Sequence, residues 1–173
     1  LPVLGGEVTV GVPEYRMPWD KYKKDIEAVE SLDGVSIQTN TKVNSEMMRQ
    51  FENDYDAVMI ASGTRISKKV RCDNERPEIT GYWGAIDFLD RVNLYEKFDI
   101  PLTEEQKKEY AIDADFVDLT GKTVVCVGGG FTSMDVVRCS IRAGAKRVVM
   151  LYRRDEKTII RNTTYEEYHE AVE

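Results

Sequence analysis

The feature that most constrains the fold is the stretch Thr123-Val-Val-Cys-Val-Gly-Gly-Gly-Phe-Thr-Ser-Met-Asp135, together with a second apolar run from Lys146 to Tyr152. A β-branched run that meets three glycines and passes into helix-compatible residues reads as strand, tight turn and helix. The second run then arrives at the spacing of a crossover to a parallel strand. The pattern predicts a helix over 132–143, ended by Gly144. Gly128 and Gly130 occupy the first two positions of G-x-G-x-x-G, where the turn must be tight and the backbone must approach a pyrophosphate with no Cβ in the way. Ser133 takes the third position, small enough to let the helix pack on the strand, although the strict pattern has Gly or Ala there. The helix beginning near Thr132 offers free N–H groups and a positive dipole end to phosphates. A purely structural glycine turn is the competing reading.

The end of the second run distinguishes between nucleotides. An acidic residue there hydrogen-bonds the ribose 2′-OH of NAD, whereas arginine pairs with the 2′-phosphate of NADP. Arg153 and Arg154 occupy that end, which favours NADP(H), while Asp155 leaves room for NAD.

Other function classes find little support. The formal net charge of −7 over 173 residues argues against a nucleic-acid surface, which needs a lysine and arginine excess. No apolar run approaches the ~20 residues of a membrane span, and no secretory signal follows Leu1, so a cytoplasmic location is expected. Cys72, Cys126 and Cys139 are an odd set without metal-ligand spacing, with Cys126 expected in the core. His169 is the single histidine, expected on a charged terminal helix, so a zinc site or a Ser-His-Asp triad has almost nothing to be built from.

Upstream, residues 1–18 carry Gly5-Gly6, Gly11-Val-Pro13 and Met17-Pro18 and read as loop or short extended segments. Asp20 opens a helix whose apolar residues recur through Tyr22, Ile26, Val29 and Leu32, ending at Asp33-Gly34. Residues 35–39 alternate as a half-buried strand does, and a short helix capped by Ser45 turns Met48 and Phe51 inward. Residues 56–61, Asp-Ala-Val-Met-Ile-Ala, form an apolar run expected to be a buried parallel strand before Ser62-Gly63-Thr64. Further on, 83–93 reads as a short amphipathic helix, and 94–118 as a charged excursion with a helix near 104–110.

The order Gly5-Gly6, Gly11-Val-Pro-Glu-Tyr-Arg-Met-Pro18, Tyr55-Asp-Ala-Val-Met-Ile-Ala-Ser-Gly63, Gly84-Ala-Ile-Asp-Phe-Leu89, Val127-Gly-Gly-Gly-Phe-Thr-Ser-Met-Asp135 and Tyr152-Arg-Arg154 resembles the small (beta) subunit of NADPH-dependent glutamate synthase and related modules, including that of dihydropyrimidine dehydrogenase. The resemblance covers nearly the whole chain apart from residues 94–118. It implies an α/β, Rossmann-like FAD/NAD(P)-binding two-domain fold, incomplete in this chain: residues 1–92 as part of the FAD domain, 93–118 as an insertion or linker, and 119–173 as the first half of the NADP domain. It implies hydride transfer from NADPH to FAD and electron delivery to an iron–sulfur or amidotransferase partner. It assigns NADP contacts to Gly128, Gly130, Thr132, Arg153 and Arg154, and flavin-side roles to Gly5, Gly6, Arg16, Gly63 and Thr64.

The chain departs from the family in lacking an FAD-type G-x-G-x-x-G near its start, in carrying Phe131 at a position usually small and polar, and in replacing the Met-Pro-Ala after the arginines with Ile159-Ile160-Arg161. A piece of a larger flavoprotein, not retaining flavin tightly alone, is the resulting expectation. A non-catalytic nucleotide-binding or interaction module is the alternative.

Overall fold

A computed structural model describes residues 1–172. Two strands, β1 (Thr123–Val127) and β2 (Arg147–Leu151), flank α6 (Phe131–Arg142) and pair in parallel, Thr123 opposite Arg147 through Val127 opposite Leu151. The βαβ reading of the sequence therefore holds to within a residue at the helix ends. Gly144, at φ +90°, closes α6, and an antiparallel bridge between Thr120 and Ala145 sets the two strand starts side by side. Val124, Cys126, Val148 and Met150 turn to one face of the sheet and pack on the core, while Val125, Val127 and Leu151 lie exposed on the other. The period-two alternation of strands produces this division.

Ahead of this unit come α1 (Gly6–Val10), α2 (Trp19–Glu30), α3 (Ser45–Asp54), α4 (Ala85–Phe98) and α5 (Glu104–Tyr110); behind it come α7 (Glu156–Asn162) and α8 (Tyr165–Val172). The hydrophobic core joins Phe88, Leu89 and Val92 of α4 to Val136, Val137 and Cys139 of α6, with Cys126 of β1 buried among them. Residues 94–118 belong to this core as well: Leu102, Tyr110, Ile112 and Val117 are buried in it, and Tyr110 stacks on Trp83 with ring centroids 3.6 Å apart. The helix read near 104–110 is α5, fixed by a capping box in which Thr103 and Gln106 satisfy each other's backbone donors.

The structure corrects several expectations. Residues 6–10 form a five-residue helix where the glycines and prolines suggested loop. The expected strands at 35–39 and 56–61 are absent, and Met59 and Ile60 are 91% and 75% exposed. A strand is completed by a neighbour's hydrogen bonds, and neither segment pairs with β1 or β2. The expected first strand–helix–strand unit is thus reduced to α3. That helix is capped by Asn44, one residue before the predicted Ser45; the Asn44 side chain accepts from the backbone N–H groups of Glu46 and Met47 at 3.0 and 2.9 Å. The short helix expected at 83–93 starts after Gly84 and runs on to Phe98. The helix expected from Asp20 is α2, which buries none of its residues: Trp19 packs edge-on against Tyr22 and Phe98 at its first turn, while Val29, and Leu32 beyond its end, lie exposed.

Candidate functional site

The glycine turn sits at the carboxyl end of β1. The Gly128 N–H donates to the Leu151 carbonyl at 3.0 Å, extending the parallel ladder by one step. At φ +146° Gly128 holds a backbone conformation that side chains disfavour, and a Cβ there would collide with the Ser133 side chain. At Gly129 a Cβ would meet the Tyr152 ring. Gly130 differs: its backbone is extended, with φ −108°, and a Cβ would meet nothing within 4 Å. Neighbouring protein atoms therefore account for the first two glycines, whereas the third borders open space at the start of α6. No side chain caps that helix, and Phe131 and Thr132 in its first turn are exposed. The Phe131 and Thr132 N–H groups at the start of this twelve-residue helix receive no side-chain cap.

β2 ends against the same turn. Tyr152 lies beside Gly129, and its hydroxyl accepts from Asn162 Nδ2 at 3.0 Å, linking the turn to α7. Arg153 and Arg154 follow, both exposed, and among the described residues neither enters an ion pair. Asp155 is committed elsewhere. Its carboxylate caps α7, accepting from the Thr158 N–H at 2.9 Å and the Thr158 hydroxyl at 2.6 Å, and these bonds hold its pKa below the usual aspartate range. Gly128, Gly130, Thr132, Ser133, Arg153 and Arg154 are thus gathered at one end of the two-stranded sheet.

The remaining candidates are placed differently. Gly5 and Gly6 lead into α1 with φ of +97° and +57°. Gly63, at φ +69°, and Thr64 lie in an exposed coil, and no hydrogen bond joins them to either glycine group. Arg16 points to α6 and α8. Its Nε and Nη2 donate to Asp135 Oδ1 at 3.0 and 2.6 Å, Nη2 donates to Glu167 Oε2 at 2.7 Å, and Nη1 pairs with the same Glu167 carboxylate. The Tyr15 hydroxyl adds a bond to Asp135 Oδ1 at 2.9 Å. Arg138 and Arg142 lie over the Tyr15 ring, 4.4 and 4.0 Å from its centroid. Burial and the Asp135 carboxylate raise the Tyr15 pKa, and the Arg16 guanidinium holds Glu167 below the usual glutamate range.

No motif in the sequence points to this cluster. Arg16 and Asp135 are 119 residues apart, and neither stands at a local spacing that points to the other. Asn93 and Lys97 of α4 escaped notice for the same reason. Asn93 Nδ2 donates to the Val10 carbonyl at 2.8 Å, and Lys97 Nζ donates to the Thr9 and Val12 carbonyls at 2.9 and 2.7 Å.

The architecture defines an α/β protein built on a parallel βαβ unit with a glycine turn at its carboxyl end. No family model matches the chain. It is 37% identical over 155 residues to the NADP+-dependent formate dehydrogenase subunit beta of Moorella thermoacetica, covering 89% of this chain and 19% of the relative. It is 33% identical over 159 residues to the glutamate synthase [NADPH] small chain of Escherichia coli, covering 91% and 31%. It is 32% identical over 155 residues to the NADPH-Fe3+ oxidoreductase subunit beta of Geobacter sulfurreducens, covering 88% and 20%. The chain belongs to the family of the glutamate synthase small subunit and related NADPH-dependent oxidoreductase beta subunits. It spans between about a fifth and a third of the length of these relatives.

Proposed function

We propose that this chain contributes the NADP(H)-binding turn of an FAD-dependent oxidoreductase, in which a hydride passes from NADPH to FAD and electrons continue to an iron–sulfur or amidotransferase partner. The observation that carries the nucleotide assignment is the pairing of an uncapped, open-faced Gly130 turn with two exposed arginines at the end of β2, while Asp155 is spent on the α7 cap. An acidic side chain engaged in a cap is withdrawn from the ribose 2′-OH, so the balance moves from NAD toward NADP. The residues fit the nucleotide. Gly128, Gly130, Thr132 and Ser133 would hold the pyrophosphate through backbone N–H groups and the helix end, and Arg153 and Arg154 would pair with the 2′-phosphate. NADPH supplies the hydride, and the protein supplies alignment, so no side chain need act as acid or base.

For FAD the fit is partial. Gly5, Gly6, Gly63 and Thr64 are not brought together by contacts of their own, and residues 1–122 carry no G-x-G-x-x-G. The family resemblance implies residues 1–92 as flavin-side, 93–118 as an insertion or linker and 119–173 as NADP-side. Calorimetric titration with NADP+, with NAD+ as control, tests the assignment. NADP+ should bind about tenfold or more tightly than NAD+, and Arg153→Ala should remove most of that preference. Equal affinity for the two nucleotides would overturn it.

A further inference from the structure

The segment between the Gly5-Gly6 pair and α2 is held by two sets of contacts. From α4, Asn93 and Lys97 hold the carbonyls of Thr9, Val10 and Val12. Arg16 in turn reaches Asp135 on α6 and Glu167 on α8 with a single guanidinium. That planar fork suits the task, because its separate N–H groups can face two carboxylates at once, which an ammonium point charge on a flexible stem does less well. The joint is largely shielded from water: the Asp135, Glu167 and Arg16 side chains are 12%, 16% and 28% exposed. Asp135 lies on the second turn of α6, whose first residue follows Gly130, and α8 is reached from Arg153-Arg154 through α7 alone. Arg138 reinforces the joint, 3.6 Å from Glu167 and 2.9 Å from Glu170.

We propose that Arg16 is a positioning residue for the nucleotide turn, setting the start of α6 and the Arg153-Arg154 end of β2 in fixed relation to the N-terminal loop, in place of the flavin contact that family resemblance implies. The inference rests on the reading of that turn as the NADP site. Without Arg16 the Asp135 and Glu167 carboxylates repel across the α6–α8 contact, which Arg138, still paired with Glu167 and Glu170, holds only in part. The Gly128–Ser133 turn and the arginine end of β2 then separate together.

The test uses the intact gene product, purified with its flavin, as wild type, Arg16→Gln, Arg16→Lys, Glu167→Gln and Tyr15→Phe. It reads NADP+ affinity, flavin content and the visible flavin spectrum. Arg16→Gln should weaken NADP+ binding by about tenfold, within the range of residues acting through packing, with flavin content and spectrum unchanged. Arg16→Lys should restore only part of the affinity. Combining Arg16→Gln with Glu167→Gln should relieve the repulsion and recover part of the loss. Tyr15→Phe, which leaves the guanidinium pairs intact, covers the case in which Arg16→Gln does not fold, and a small loss of affinity with native melting supports the joint. Unchanged NADP+ affinity in Arg16→Gln, with a shifted flavin spectrum or reduced flavin content, would overturn the proposal. Arg153→Ala separates the two levels: if it still abolishes the NADP+ preference, the nucleotide reading survives the loss of the Arg16 proposal, and if it does not, that reading has failed.

Discussion

Truncating Asn93 to alanine removes a fully buried amide that stitches α4 to α1. Its Nδ2 donates to the Val10 carbonyl at 2.8 Å and to the Leu89 carbonyl at 3.0 Å. The two bonds are not equivalent. Leu89 precedes Asn93 by one helical turn, so its carbonyl keeps the backbone partner of α4, and that loss costs about 0.5 kcal/mol. Val10 is 0% exposed, so its carbonyl cannot turn to water once Nδ2 is gone. A buried acceptor left unpaired costs about 1–3 kcal/mol. Among the described residues Asn93 Oδ1 has no partner, and deleting it returns part of that cost. The net expectation is a loss of about 2 kcal/mol, which for a domain of this size lowers Tm by about 4–8 °C. Urea unfolding followed by circular dichroism at pH 7, with matched m-values for wild type and variant, measures it. A loss below about 0.5 kcal/mol would refute the claim that this amide ties α1 to the core.

Two further outcomes follow from buried titratable groups. Burial pushes the Asp90 carboxyl up to about 6 despite the neighbouring Arg65, so between about pH 4 and 6 the folded chain holds this proton more tightly than the unfolded chain, and the stability it contributes falls as pH rises through that window. The difference between the stability–pH profiles of wild type and Asp90→Asn should decline from pH 4 to 7; a rising difference would contradict the assignment. Burial likewise pushes the Cys139 thiol up to about 12 and raises that of Cys126, whereas Cys72 is exposed. Iodoacetamide at pH 8 should label Cys72 in the folded chain, with Cys126 and Cys139 reacting after denaturation, as read by peptide mass spectrometry.

The sequence was most legible where hydrogen bonding is local or the pairing partner is near. Helices close their bonds within four residues, so α6 is legible from the glycine turn before it and Gly144 after it, and α5 from residues 104–110 themselves. β1 and β2 were legible because a single helix separates them and their partner is each other. Residues 56–61 carry as good a strand composition as β1, yet a strand exists only where a ladder receives it, and a single segment cannot specify that. The glycine turn was visible in spacing alone. The engagement of Asp155 with Thr158 was not: at sequence level the same aspartate could face a ribose or cap the next helix, and hydrogen-bond geometry decides between them. The Arg16 joint was illegible for a different reason. Its partners lie on α6 and α8, and such charge pairs have no periodicity to read.

The two-stranded sheet has a consequence for handling the molecule. A parallel pair has two unsaturated edges, and here one face bears Val125, Val127 and Leu151, each more than half exposed. Unpaired strand edges beside apolar surface act as templates for intermolecular ladders, and no charged side chain interrupts β1 along its length. Prepared alone at high concentration, the 173-residue chain is colloidally fragile by construction of its sheet, with light scattering that climbs with concentration. A lysine at Val125, a gatekeeper charge placed on the bare face and away from the packed core, is the substitution to try first for keeping it monodisperse.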